Sequence, residues 1–501
     1  MKISYKNKSL IHILLMFCFS PLIAQNTEPI KIESWVTNAD RSALFIKQAD
    51  DIVFNNKEEG RGLPIIINDR QEFQSIDGFG FAMTEGSAFH LNRMSKEARM
   101  KILKELFATD GNNVGFSYIR LSLGASDLNN FVYSYNDLPD GETDFELKKF
   151  DLGQDRVDII PIMKEVLAIN PNIKIMSSPW SAPKWMKTSN DVRSGSLKTE
   201  CYDVYARYFV KYIQEMKKEG IRIDAVTIQN EPLNSRNTPS MPWYFQEHAE
   251  FVKEHLGPAF RKANLDTKII IFDHNCDRPD YPLAILSDSE TAQYVDGAAF
   301  HHYRGYLSGM STVQMARPDK NIYFTEQMLT EKPDSPNINI AASVKRLVVD
   351  VIRNWSRNSI LWNFAADPNN DPHTDNGGCS MCQGAITING DEVTRNIAYY
   401  TMAHASKFAR PGSVRIASTH TFDPGVDITE DEERSEVRRA TYVDHSNVLP
   451  NVAFKTPDGK IVLIIANDTW SVNSVKIQYK GLYANLRLFP GSVGTYVWQS
   501  F

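Results

Sequence analysis

Between Ile76 and Phe364 the chain alternates short apolar runs with longer stretches in which apolar residues recur every three or four positions. A short apolar run without polar alternation, bounded by turn residues, fits a strand buried on both faces, as in a parallel sheet. Eight such runs occur: Ile76–Met83, Phe116–Leu123, Ile173–Pro179, Ala225–Glu231, Lys268–Asp273, Val295–His302, Ile322–Gln327 and Ile360–Phe364. Helical period marks Ser95–Ala108, Asp158–Ile169, Tyr205–Lys218 and Val344–Trp355, with Gly220 as a stop after the third. A last helix covers roughly Arg395–Phe408. Eight strand–helix units predict an α/β fold, a (β/α)₈ TIM barrel over residues 76–409. A doubly wound open sheet is the rival topology, but its Gly-rich phosphate turn is missing.

On either side the pattern changes. Ile30–Phe54 and Leu63–Phe73 read as short strands broken by polar turns. After Arg410 come Val414–Ala417, Ala440–Val443, Val452–Lys455, Ile461–Asn467, Ser474–Tyr479, Asn485–Phe489 and Gly494–Trp498, with turns such as Pro457-Asp458-Gly459. Many short strands with frequent turns predict a β-sandwich over residues 410–501. The strands within residues 25–75 have no barrel partner and are expected to join it, so both chain ends build the side domain. Residues 1–24 differ again: Lys2, Lys6 and Lys8 precede the apolar run Leu10–Ala24. That run is short of the about 20 residues a spanning helix needs, and it reads as a secretory signal peptide. Cleavage after Ala24 is expected, although Leu22 is larger than the usual small residue; an uncleaved anchor is the alternative. The destination is then the periplasm, the cell surface or the medium, with no membrane span in the mature chain.

Composition adds exclusions. At 42% hydrophobic and 23% charged, a chain of 501 residues is an ordinary globular protein that can bury a large core without disulfides. Loss of the leader takes three lysines and no acids, moving the formal charge from −6 to −9. Nucleic acid is a poor partner for such a surface. The acidic run Asp427–Glu436 reads as a solvated loop rather than a cation site. Of five cysteines, Cys18 lies in the leader, Cys201 and Cys276 stand apart, and Cys379 and Cys382 form a lone C-x-x-C. Zinc would want a second such pair or a histidine pair at metal spacing, so a local disulfide is expected.

In a TIM barrel the active site lies at the C-terminal ends of the strands. Two strands deliver a glutamate there: Glu231 ends the fourth and Glu326 the seventh. Carboxylates at the ends of apolar strands are costly to bury without a partner or a task. Glycoside hydrolysis uses such a pair, one to protonate the leaving oxygen and one to attack the anomeric carbon. The bland alternative is that each glutamate pairs with a nearby Arg or Lys. Arg120, inside the second strand, is a candidate donor to one glutamate or a structural ion pair.

Asn230-Glu231-Pro232 after a strand, with a second glutamate on strand seven, resembles the clan A glycoside hydrolases. An ordered series of segments is similar to glycoside hydrolase family 30, which holds lysosomal glucosylceramidase and bacterial β-1,6-glucanases. The series is IDGFGF (Ile76–Phe81), YIRLSLGASD (Tyr118–Asp127), SPWSAPKW (Ser178–Trp185) with Met186-Lys187-Thr188, ARYFVK (Ala206–Lys211), AVTIQNEP (Ala225–Pro232), HHY (His301–Tyr303) and FTEQ (Phe324–Gln327). The resemblance implies a barrel with a sandwich from both chain ends, retaining chemistry, Glu231 as acid/base and Glu326 as nucleophile. The acid must be protonated at rest, so a raised pKa is expected for Glu231 and an ionised Glu326. It also implies Asn230 at the sugar 2-hydroxyl, Asp127 at the 4- and 6-hydroxyls, Trp180 as a wall and Trp362 as a platform. His301 and Tyr303, ending strand six, would also contact the sugar, and Tyr303 would hold Glu326.

Two departures bear on the substrate. Strand seven reads Thr325-Glu326-Gln327, and the loop Asp367–Gln383 after strand eight carries the C-x-x-C. With export, these look closer to the β-1,6-glucanase subfamily than to a lysosomal lipid hydrolase. A β-glucosidase, glucosylceramidase or β-xylosidase is the alternative within the family, and a catalytically silent carbohydrate binder the alternative outside it. The expected partner is a polysaccharide or oligosaccharide and the expected state a monomer. No cofactor or metal is implied: His301 and His302, adjacent on a strand, point to opposite faces.

Overall fold

A computed structural model describes residues 29–59, 64–332, 335–420 and 448–501, together with Met1. The expected leader, Cys18, the acidic run Asp427–Glu436 and the expected strand Ala440–Val443 lie outside the described residues. Among the described residues no helix is long and apolar enough to cross a membrane.

All eight apolar runs are parallel strands of one sheet: Gly78–Met83, Tyr118–Ser122, Lys174–Ser178, Ala225–Thr227, Lys268–Asn275, Val295–His301, Asn321–Glu326 and Asn358–Leu361. Each pairs with its sequence neighbour, and the eighth pairs with the first. The seventh and eighth close the barrel through two isolated bridges, Ile322 with Ser356 and Met328 with Trp362. Between the bridges the Phe324 amide donates to Asn358 Oδ1 at 2.8 Å. Inside, Tyr118, Met176, Ala225, Ile270, Ala299, Tyr323 and Ile360 form one packed layer, drawn from strands two to eight. The lumen is therefore filled below the mouth, and chemistry is confined to one end.

The helices form where the 3.6-residue period placed them: Lys96–Phe107, Ile159–Ile169, Tyr202–Lys218 and Ile397–Ser406. Ser95 caps the first of these by accepting from the Ala98 amide at 3.3 Å. The helix expected at Val344–Trp355 runs from Ile340 to Arg353 with a π-helical stretch, Lys345–Val349, in its middle.

The side domain is built from both chain ends. Lys31–Thr37 pairs with Val493–Gln499, and Ile65–Ser75 lies between Val414–Ser418 and Asn473–Tyr479 in a ten-stranded sheet. Strand Lys460–Ala466 shows how it docks. Ile461, Leu463 and Ile465 point into the sandwich core, while Val462, Ile464 and Ala466 join the barrel's core. Period-2 alternation on a strand buried on both faces makes one element serve two cores.

Candidate active site

The mouth of the barrel opens into a pocket of about 670 Å³ lined by Asp127, Trp180, Glu231, Tyr303, Glu326 and Trp362, among others. Six of the eight residues singled out in the sequence thus share one cavity. Asn230 and His301 lie just behind it, buried, and hold its walls.

The strands reach this geometry through irregular ends. Strand four stops at Thr227, and Glu231 itself has φ +48°. Phe272 and Asp273 in strand five have φ +74° and +62°, and the pairing with strand six slips beside them. Left-handed backbone at residues with a Cβ is costly, and here it re-aims side chains at the axis. The two irregularities support one another, because the Glu231 amide donates to the Asp273 carbonyl at 3.0 Å.

Arg120 organises what converges. Fully buried on strand two, it donates through Nη1 to Glu326 Oε2 at 2.6 Å. Through Nη2 it donates to Asn230 Oδ1 at 2.8 Å and Asp273 Oδ2 at 2.9 Å. Its guanidinium carbon also lies 4.9 Å from the centre of the Trp180 ring. Both readings left open for Arg120 hold together: it is an ion pair and a donor to Glu326. Tyr303 donates to Glu326 Oε1 at 3.1 Å. Asn234 donates to Glu231 Oε2 at 2.6 Å. The Asn230 backbone N–H donates to the Pro179 carbonyl at 2.8 Å and its side-chain Oδ1 accepts from Arg120, which leaves side-chain Nδ2 to turn toward a ligand.

Asp273 carries the charge that sequence reasoning missed. It accepts from Arg120 and from Thr227 Oγ1 at 2.7 Å on Oδ2, and from Thr325 Oγ1 at 2.6 Å on Oδ1. His301 Nε2 lies 3.0 Å from Oδ1. The rule that picked out Glu231 and Glu326, a carboxylate ending an apolar strand, also describes Asp273 at the end of KIIIFD. Asn234 and His274 were missed as well, and only their proximity to Glu231 in space reveals them.

The protonation order differs from the expected one. Burial pushes Glu231 up, but the His301 hydrogen bond and the charges of His301 and His274 outweigh it and hold Glu231 down at about 2. Glu326 is raised by burial, against the pull of His301 and Arg120. Burial lowers His301, yet Glu326, Asp273 and Glu231 together lift it to about 9. These directions favour an imidazolium at His301, whose Nδ1 lies 3.2 Å from Glu231 Oε1, over a protonated Glu231. Neighbours on strands five and six cause the reversal, and no local motif announces them. Asp127 is raised well above the usual carboxylate range by burial and by both glutamates.

One wall is aromatic. Trp180 and Trp362 stand 5.2 Å apart at 32°, and the buried Trp180 indole N–H has no partner. Cys379 and Cys382 form a disulfide with Cα atoms 5.5 Å apart, and both cysteines line the pocket beside Trp362. Two facing carboxyls, an aromatic wall and unspent donors suit acid/base and nucleophilic chemistry on a sugar.

Known proteins resemble this chain in sequence and fold. A family model for the glycosyl hydrolase family 30 TIM-barrel domain matches residues 76–409, and one for the family 30 beta sandwich domain matches residues 437–496. An endo-1,6-beta-D-glucanase of Neurospora crassa is 34% identical over 437 residues, 85% of either chain. The lysosomal acid glucosylceramidase of Mus musculus is 27% identical over 88% of this chain and 84% of its own. The solved structure of the endo-beta1,6-glucanase BT3312 superposes with a TM-score of 0.82 at 31% identity, covering 94% of this chain and all of that one.

Proposed function

The chain belongs to glycosyl hydrolase family 30, and on that premise we propose that it cleaves β-1,6-glucan of the pustulan type, with Glu231 as acid/base and Glu326 as nucleophile. The observation that carries the roles is the asymmetry between the two glutamates. Glu326 is gripped by Arg120 and Tyr303 and aimed into the pocket, as an attacking carboxylate must be. Glu231 is bonded instead to His301, where a proton is held. One carboxylate oxygen of each lies within 4.8 Å of one of the other's, in keeping with the about 5–5.5 Å carboxyl separation of a retaining enzyme.

In the first step Glu326 forms a bond to the anomeric carbon as the glycosidic C–O bond breaks. Glu231 gives the leaving oxygen a proton drawn from His301 Nδ1. In the second, Glu231 takes a proton from water, the water oxygen bonds to the anomeric carbon, and Glu326 is released. Binding favours the neutral Glu231–His301 pair, because sugar expels the water that solvates a charged one. The Asn230 side-chain Nδ2 and the unpaired Trp180 indole N–H supply donors to sugar hydroxyls, Asp127 grips the far hydroxyls, and Trp362 is the platform.

The glucan assignment is supported by the named relatives at above 30% identity and by the disulfide-bearing loop at the rim. The basic and apolar start of the chain supports export. Incubation with pustulan and product analysis tests the linkage, and β-1,6-linked oligosaccharides are expected. Rapid cleavage of aryl glucosides or aryl xylosides with no products from pustulan would sink the glucan reading. A 2-fluoroglucoside with a good leaving group is expected to label Glu326, and labelling elsewhere would reverse the roles.

A further inference from the structure

The cluster behind the pocket is unbalanced in charge. Asp273, Glu231 and Glu326 face one permanent cation, Arg120, and one that depends on a proton, His301. Toward His301 the two glutamates are placed alike, although Glu326 Oε1 also accepts from the Tyr303 hydroxyl. Each has its Oε2 engaged by a donor, Asn234 Nδ2 on Glu231 and Arg120 Nη1 on Glu326, both at 2.6 Å. Each turns its Oε1 toward the same imidazole nitrogen, His301 Nδ1, at 3.2 Å for Glu231 and 3.6 Å for Glu326. One ligand atom from each of the three residues lies within 4.8 Å of the other two, and all three residues are buried.

The two spacings to His301 Nδ1 are close to those of a coordination shell, and a small approach of the two glutamates to each other would complete it. A tetrahedral zinc ion with bonds of about 2.0–2.2 Å holds its ligand atoms about 3.3–3.6 Å apart. The ring is also set as a ligand. Its far nitrogen, Nε2, sits 3.0 Å from Asp273 Oδ1, the carboxylate–histidine arrangement that orients zinc-binding imidazoles. His302 has no part in it, as its neighbours are Gly305 and Arg346 rather than the glutamates.

We infer that Glu231, His301 and Glu326 together bind one divalent transition-metal ion of the zinc class, in competition with the glycoside. One nitrogen and two oxygens suit zinc or copper, whereas calcium wants six or more oxygens and magnesium an octahedral oxygen shell. The ion displaces the proton from His301 Nδ1, and its two charges together with Arg120 balance the three carboxylates. The ion occupies lone pairs on both glutamates, and the fourth position faces the pocket. It is an inhibitor rather than a cofactor, since hydrolysis needs those lone pairs free. The competition rests on the reading of Glu231 and Glu326 as the reacting groups, while the binding itself does not.

The test uses the untagged full-length chain, stripped with a chelator and titrated with zinc chloride by calorimetry in a non-coordinating buffer. One ion per chain is expected, with inhibition of pustulan hydrolysis that is competitive and reversed by chelator. His301→Gln and, independently, Glu326→Gln are expected to weaken binding by at least about tenfold. X-ray absorption on the wild type is expected to show one imidazole and two carboxylate oxygens, which keeps the test sound if a variant misfolds. No binding heat, unchanged affinity in both variants, sulfur ligands, or inhibition that is not competitive would each overturn the inference. Zinc bound through imidazole and carboxylates in a chain that hydrolyses no glycoside would instead overturn the proposed function and leave the site standing.

Discussion

Asp273 does not itself line the pocket, yet it fixes both the Arg120 guanidinium and the His301 ring. Burial raises its pKa, but Arg120 and His301 overcome this and hold it far below the usual carboxylate range. Asp273→Asn leaves the shape and removes the charge, so stability is expected to fall by about 3 kcal/mol, as for a broken buried pair. Turnover is expected to fall by about a hundredfold with KM little changed, because the sugar contacts remain. A loss confined to KM would contradict that placing. A second buried charge makes a pH prediction. Lys187 is buried, with its Nζ donating to the Ser240 carbonyl at 2.8 Å, and burial lowers its pKa to about 7. Unfolded, it stays protonated up to about 10.4, so between these values the unfolded chain binds the extra proton and stability rises with pH. Below about pH 7 the penalty for burying the charge is present in full. Denaturant unfolding of wild type and Lys187→Met is expected to show wild type gaining about 2 kcal/mol relative to the variant from pH 7 to 9. A constant gap would mean that Lys187 keeps its ordinary pKa. What was legible at this scale was position along strands: Glu231 and Glu326 stood out because each ends one. Asp273 follows the same pattern but lacked the family motif that marked the other two. The low Glu231 pKa depends on His301, which lies 70 residues away in sequence.

Among the elements, the strands were legible because a run buried on both faces has a simple signature, and the barrel's function depends on where those runs stop. The segment after strand four was not legible. Phe245–Glu250, Phe251–Leu256 and Gly257–Lys262 form one continuous helical stretch, with π-helical hydrogen bonding in the middle third. Gly257-Pro258 reads as a break, but the wider turn before it absorbs the missing proline donor. The loop after strand eight was legible as a departure and not as a shape. It folds back across the mouth so closely that a Cβ on Gly378 would meet the Thr374 carbonyl at 2.3 Å and the Asp127 carbonyl at 2.9 Å. Its disulfide rests beside Trp362 and Trp180, with Cys382 Sγ 3.7 Å from Met328 Sδ. The ring it closes is short, so its entropic contribution is only about 2 kcal/mol. The double change Cys379→Ser with Cys382→Ser is therefore expected to lower Tm by no more than a few degrees. KM for a glucan oligomer should rise several-fold, and KM for an aryl glucoside, which leaves the outer rim empty, much less. Equal changes in both KM values would assign the loop to the sugar at the cleavage point instead.

On the scale of the whole molecule, the two domains share one hydrophobic core and are expected to unfold as one unit. The largest hydrophobic cluster runs without interruption from barrel residues such as Phe79, Leu106 and Ala403 to Trp35, Phe454, Val462, Ile464 and Val497 of the side domain. A buried histidine crosses the same boundary: the His404 ring nitrogens sit 2.8 Å from Thr495 Oγ1 and 2.8 Å from Thr37 Oγ1. Burial without a charged partner lowers its pKa to about 3, so it is neutral and can serve both hydroxyls. The alternation along each sandwich strand was readable, and it named one buried face. That the opposite face is also buried follows only from docking on the barrel. A domain interface made of core does not separate on heating, since parting the two bodies exposes apolar area to water at about 25 cal/mol per Å². Calorimetry of the mature chain is expected to give one transition, with loss of glycosidase activity at the same temperature. The barrel alone, residues 76–409, is expected to be insoluble or to lack sharp unfolding, because the removal of its partner strands uncovers that cluster. Two resolved transitions, or a barrel fragment that melts sharply and still cleaves glycosides, would show that the side domain is an attachment rather than half of the core.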